Sequence, residues 1–149
     1  MLRALIVDDE ELARRGLEIR LEDYADVEIC GQARNGREAL IAVREQMPDL
    51  MFLDVQMPGM DGFEVLRRLS GSNMPEIIFV TAYDEFALKA FDANALDYLL
   101  KPINDDRLRE AIERARKHTG EMAAEEHLSL IHISEPTRRR DSSRMPSSA

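Results

Sequence analysis

The chain has 149 residues and a formal net charge of -9, with 20 Lys and Arg against 29 Asp and Glu. That length suits one domain with a real core, and the acidic balance argues against this segment gripping a nucleic-acid backbone, which needs a basic surface. The single cysteine, Cys30, excludes an internal disulfide and fits a reducing, cytoplasmic setting. No apolar run reaches membrane-spanning length, and no signal peptide or anchor precedes the first strand, so no membrane partner is expected.

Strands and helices alternate along the chain. Residues 2–7 read as a strand, and Glu10 to Tyr24 as a helix with Ala13, Leu17, Leu21 and Tyr24 on one face. Residues 27–33 form a second strand. The Asn35-Gly36 turn leads into a helix from Arg37 to Met47, with Leu40, Val43 and Met47 inward. Pro48-Asp49 breaks it before the apolar strand from Leu50 to Asp54. A short helix follows from Gly62 to Leu69, then a loop, then a strand from Glu76 to Thr81. Asp84 is a candidate N-cap for a helix reaching Phe91. Asp97 to Leu100 is a short fifth strand, and Asn104 or Asp105 caps a last helix with Leu108, Ile112 and Ala115 inward.

Five strands alternating with five helices predict an α/β domain: a flavodoxin-like (βα)5 fold, parallel, in strand order 2-1-3-4-5, with helices on both faces. The domain is expected over residues 1–120, with the start of a linker at 121–127. From residue 128 the pattern is lost in a stretch rich in Ser, Pro and Arg. Residues 128–149 read as a non-native tail resembling translated adaptor sequence, or as a disordered basic one, with no packing against the domain. The Arg138-Arg139-Arg140 run therefore supports no nucleic-acid claim. His118, His127 and His132 carry no motif and are read as surface residues.

Chemistry gathers at the strand ends, where open α/β sheets keep their sites. Asp8 and Asp9 end the first strand, Asp54 the third, Thr81 the fourth, and Lys101 follows the fifth. Acidic residues starting a helix often serve only its dipole, but that does not account for Asp54 and Lys101. Neighbouring carboxylates repel one another, and a bound divalent cation removes the repulsion. Oxygen ligands favour magnesium (Mg2+). Asp9 and Asp54 are the expected direct ligands, Asp8 acts through water, and Gln56 offers its backbone carbonyl. Asp54 is the expected nucleophile for a phosphoryl group. Lys101 supplies positive charge and Thr81 a hydroxyl for the phosphoryl oxygens. A cis bond before Pro102 would aim Lys101 into the site. Pro58 and Gly62 read as turn residues. A phosphatase or dehalogenase using the same nucleophile wants a general acid two residues on. That position is Gln56, which cannot fill the role.

The segments VDDE (7–10), LDVQMPGMDG (53–62), VTAY (80–83) and DYLLKP (97–102) resemble, in order and spacing, the receiver domain of bacterial two-component response regulators. The resemblance covers residues 1 to about 120. It implies phosphoryl transfer from a histidine kinase to Asp54, magnesium at the acidic pair, and phosphoryl contacts from Thr81 and Lys101. The chain is then a signalling switch and not an enzyme beyond its own phosphorylation and dephosphorylation. Kinase specificity is expected around Leu12 to Glu18. Tyr98 stands where the family carries a switch aromatic. Its inward turn behind Thr81 would reshape the surface of the helix from Asp84 to Phe91, the fifth strand and the final helix into a homodimer contact. The stretch TAYDEFALKAFDANALDYLLKPI is similar to the LytR/AlgR subfamily, whose receivers precede a LytTR DNA-binding domain. That domain is absent from this chain, so DNA binding and transcription control belong to an intact parent. A stand-alone receiver that relays phosphate or binds a target protein is the alternative.

Overall fold

The structure, a computed structural model, describes residues 1–69 and 74–131, with residues 120–131 described by their backbone alone. The elements run β1 (Leu2–Val7), α1 (Glu11–Leu21), β2 (Val27–Ala33), α2 (Gly36–Gln46), β3 (Leu50–Leu53), α3 (Gly62–Arg68), β4 (Glu76–Thr81), α4 (Ala87–Asp92), β5 (Asp97–Leu100) and α5 (Asp105–Ile131). Met1–Lys117 form one compact unit, and the residues from His118 fall in a second. The backbone helix of α5 thus passes residue 120 and includes the first residues of the expected tail. Residues 132–149 lie outside the described residues, as do the side chains of His127 and His132.

All five strands are parallel, in the order β2-β1-β3-β4-β5. This is the flavodoxin-like arrangement. The central strands β1, β3 and β4 are mainly apolar because both faces are covered, whereas the edge strands β2 and β5 are only partly buried. Leu5, Val7, Met51, Leu53, Ile77 and Phe79 share one core with Ala39 and Val43 of α2, Phe63 and Leu66 of α3 and Ala90 of α4. Ala4, Ile6, Leu50, Phe52, Ile78 and Val80 share the other with Leu17 and Leu21 of α1 and Leu108, Ile112 and Ala115 of α5.

Local chemistry sets the helix starts. Asn35 caps α2, its Oδ1 accepting the Glu38 N–H at 2.8 Å, while a Glu38 carboxylate oxygen accepts the Arg34 N–H at 2.9 Å. Asp61 caps α3 through the Glu64 N–H at 2.8 Å. Asn104 caps α5, accepting from the N–H groups of Asp106 (2.9 Å) and Arg107 (3.1 Å). Three expectations are corrected. Asp84 does not cap α4, which starts after Phe86 with no side-chain cap. Met47 does not face inward: it ends α2 in the left-handed conformation at φ 47° and is 53 % exposed, and the buried face of the helix is Gly36, Ala39 and Val43. Gly62 starts α3, as the expected helix range had it, and is not needed for the turn before it, where Gly59 takes the positive φ of 85°.

The strand register prepares the site. Val7 stands level with Leu53, and Thr81 with Leu100. Each ladder then continues by one bond: Asp54 N–H donates to the Val7 carbonyl at 3.0 Å, and Lys101 N–H to the Thr81 carbonyl at 2.8 Å. The residues after these strands are therefore held side by side at one edge of the sheet.

Candidate functional site

Asp54 and Asp8 are both buried, 6 % and 5 % exposed, and among the described residues Thr81 is the other buried polar side chain. Buried charges need partners, and Lys101 supplies them. Its Nζ lies 2.8 Å from Asp8 Oδ2 and 3.2 Å from Asp54 Oδ2, with Glu10 Oε1 further out at 3.8 Å. Asp54 Oδ1 accepts the Gln56 N–H at 3.3 Å, and Asp8 Oδ1 accepts the Glu10 N–H at 2.9 Å. The Lys101-Pro102 bond is cis.

Asp9 is exposed and stands at the mouth. One carboxylate oxygen from each of Asp8, Asp9 and Asp54 lies within 4.8 Å of the others. Burial pushes the Asp54 carboxyl above its usual range, opposed by Lys101 and reinforced by Asp8. Burial also pulls on Lys101 in the direction of losing its proton, but the hydrogen bond to Asp8 and the charges of Asp54 and Asp8 outweigh it, and its pKa is raised. The pocket thus holds three acids and one firmly protonated amine. Three hard oxygens converging, one of them held reluctantly ionised, suit a small divalent cation.

Thr81 is fully buried, and its Oγ1 accepts the Tyr83 N–H at 3.4 Å. No hydrogen bond joins it to Asp54 among the described residues. Tyr98 is half-buried beside Phe79, with ring centroids 6.2 Å apart, and its hydroxyl donates to the Tyr83 carbonyl. Burial raises the pKa of that hydroxyl. Thr81 and Tyr98 therefore meet at Tyr83, on the loop between β4 and α4. The Gln56 side chain is exposed, leaving its N–H as the contact with Asp54.

Two contributors escape the sequence. Arg14 of α1 donates from Nη1 to the Asp8 carbonyl at 2.7 Å, holding the acidic loop. Gly62 N–H donates to the Val55 carbonyl at 2.8 Å, and a Cβ on Gly62 would fall 2.5 Å from the Asp54 carbonyl oxygen. Neither signal is local, because the contacts form only when the strand end folds back on the helix. Beside the acids, a mainly apolar cleft runs between α1 and the β5–α5 connection, lined by Leu12, Ala13, Gly16, Lys101, Pro102 and Ile103 among others. Leu12 is 86 % exposed.

The sequence model of the response regulator receiver domain matches residues 4–113. An uncharacterized response regulatory protein of Shewanella oneidensis is 51 % identical over 117 residues, which cover 78 % of this chain and 50 % of that protein. The transcriptional regulatory protein BtsR of Escherichia coli K12 is 46 % identical over 117 residues, covering 78 % and 49 %. The chain spans about half the length of these curated relatives. Among solved structures, the response regulatory domain of mrkE from Klebsiella pneumoniae superposes with a TM-score of 0.72 at 30 % identity, over 78 % of this chain and 97 % of that one. The REC domain of AraT from Geobacillus stearothermophilus does so with a TM-score of 0.71 at 32 % identity, over 81 % and 98 %.

Proposed function

Because the chain belongs to the response regulator receiver domain family, we propose that Asp54 is its phosphoacceptor and that a histidine kinase is the donor. The observation that carries this is the Lys101 ammonium bridging the buried carboxylates of Asp8 and Asp54, with Asp9 beside them. An Asp54 carboxylate oxygen attacks the phosphorus of a phosphohistidine. A P–O bond forms, the P–N bond breaks, and the imidazole leaves and takes up a proton. Lys101 neutralises the incoming oxygens, and Thr81 turns its hydroxyl toward them. Magnesium, when bound, offsets the charge of the carboxylates and of the phosphoryl group. Asp9, Asp54 and the Gln56 carbonyl would hold it, with Asp8 acting through water. The short contact of Asp8 with Lys101 supports that outer role. The apolar cleft beside α1, with the exposed Leu12, supports kinase docking there.

Asp9→Asn and Asp54→Asn each remove a charged oxygen ligand, so each weakens magnesium affinity by about tenfold or more. Asp8→Asn weakens it less. Titration by calorimetry reads all three, and an Asp9→Asn affinity equal to wild type removes Asp9 from direct coordination.

The phosphoryl group adds charge and acceptor oxygens. As Thr81 moves toward it, space opens behind Thr81 for the Tyr98 ring, and the α4–β5–α5 surface becomes a homodimer contact. An effector must favour one conformation to shift the balance. Thr81→Ala therefore accepts phosphate but loses the coupled dimer. Sedimentation of labelled wild type and labelled Thr81→Ala separates these readings, and equal dimer fractions in the two speak against this route.

In the intact parent we place the domain in the cytoplasm, ahead of a DNA-binding output of the LytTR kind that controls transcription. The likeness to the transcriptional regulatory protein BtsR supports the transcriptional output. On this reading the domain is a switch whose chemistry is limited to its own phosphorylation and dephosphorylation. A stand-alone receiver is favoured instead if the parent reading frame closes soon after α5.

A further inference from the structure

We propose that Phe63, through its contacts with Phe86 and Lys89, carries the state of Asp54 to the start of α4 by a path that does not pass through the Thr81 hydroxyl. The proposal rests on the phosphoacceptor reading above.

The route starts at the acceptor's own backbone. The Gly62 N–H binds the Val55 carbonyl at 2.8 Å, and the missing Cβ of Gly62 lets α3 begin against the Asp54 carbonyl. The next residue is Phe63, 4 % exposed. A shift of the Asp54 peptide therefore reaches Phe63 through one residue. The Phe63 ring lies 5.0 Å from Phe79 of β4 and 6.2 Å from Phe86, centroid to centroid. Phe86 meets Tyr83 edge-on at 6.2 Å, and Phe79 lies 6.2 Å from Tyr98. The Tyr98 hydroxyl donates to the Tyr83 carbonyl, and the Tyr83 N–H donates to Thr81 Oγ1, so the far side of this cluster is shared with Thr81 while the Phe63–Phe86 contact is not.

Phe86 matters because of where it stands. It is the residue before α4, and no side chain caps that helix. Within α4 only Ala90 is buried. The helix is held by Ala90, by the Phe86 ring and by Lys89, whose Nζ sits 4.5 Å from the Phe63 ring centroid. Of these, the Phe86 ring and Lys89 both rest on Phe63. An element with so little buried surface sits at the low-stability end of a fold and moves readily. Simple core packing explains Phe63 against Phe79. It does not require an exposed lysine and the start of the least anchored helix to converge on the same ring.

The test compares amide hydrogen exchange in α4 with and without magnesium and beryllium fluoride, a phosphoryl mimic, with loading of Asp54 read by fluorine NMR. Phe63→Leu keeps an apolar side chain but removes the ring. Lys89→Gln removes the cation over it from an exposed position and leaves the core alone. Both are expected to load, and in both the ligand-induced change in the α4 opening equilibrium is at least about twofold smaller than in wild type. A merely structural role lowers stability without altering the ligand-induced difference. An unaltered difference in both single variants overturns the proposal, and Lys89→Gln alone decides if Phe63→Leu fails to fold. A wild type that does not load overturns the acceptor reading, and this proposal with it.

Discussion

Asp54→Asn takes up no phosphoryl group from acetyl phosphate and magnesium under conditions where the wild-type chain takes up one. Asparagine has nearly the same shape, so the pocket survives, but its amide oxygen lacks the charge that attacks phosphorus. Lys101 loses one carboxylate partner and keeps Asp8 at 2.8 Å, so the lysine is not left buried and unpaired. The fold is not weakened. Because burial raises the Asp54 pKa, its ionised form costs stability above that raised value, a penalty that fades as the pH falls through it. Asparagine removes the penalty at neutral pH, and the metal-free variant melts at or above the wild-type temperature. Intact-mass analysis reads the labelling and calorimetry the melting. Full labelling of the variant at the wild-type rate sinks the assignment.

Gly62→Ala strongly destabilises the domain. Its Cβ would lie 2.5 Å from the Asp54 carbonyl oxygen and 3.2 Å from Val55 Cα, both backbone atoms. Backbone cannot swing away as a side-chain tip can, so α3 or the acceptor strand must shift. Such overpacking costs about 3 kcal/mol, which lowers the melting temperature by more than about 10 °C in a domain of this size. The same shift moves the Asp54 peptide, so labelling slows in whatever fraction stays folded. Gly59→Ala is the contrast. Nothing lies within 4 Å of its added methyl, and only the positive φ of 85° is strained. A Gly62→Ala melting point within about 2 °C of wild type contradicts the contact.

The sheet was legible because its central strands are buried on both faces, as the apolar run from Leu50 to Leu53 before Asp54 shows. Right-handed crossovers limited the strand orders, and the flavodoxin-like order is the natural choice at this size. Asp54, Lys101, Thr81 and the acidic pair were legible because their motifs stand at strand ends. Helix ends were not. Tyr24 fits the spacing of α1 and packs on its core, yet the helix stops at Leu21 and a turn carries Tyr24 there. Asp84 has the right chemistry for a cap, but the chain makes a further turn before α4 begins. Met47 has helical spacing, yet it takes the left-handed residue after α2. Propensity describes one residue and its neighbours, and these outcomes were decided by distant packing. The roles of Gly62 and Arg14 were hidden for the same reason. Lys101 and Asp54 are 47 residues apart in sequence, and only the register of the strands brings them to 3.2 Å.

The central claim is that Asp54, of all the carboxylates in the chain, is the one that takes the phosphoryl group. Labelling wild-type protein with acetyl phosphate and magnesium, reducing the acyl phosphate with borohydride and mapping the modified peptide by mass spectrometry tests it directly. The account predicts one reduced aspartate, at position 54, and none when magnesium is chelated. Modification at Asp8, Asp9 or a surface carboxylate with Asp54 intact would contradict it.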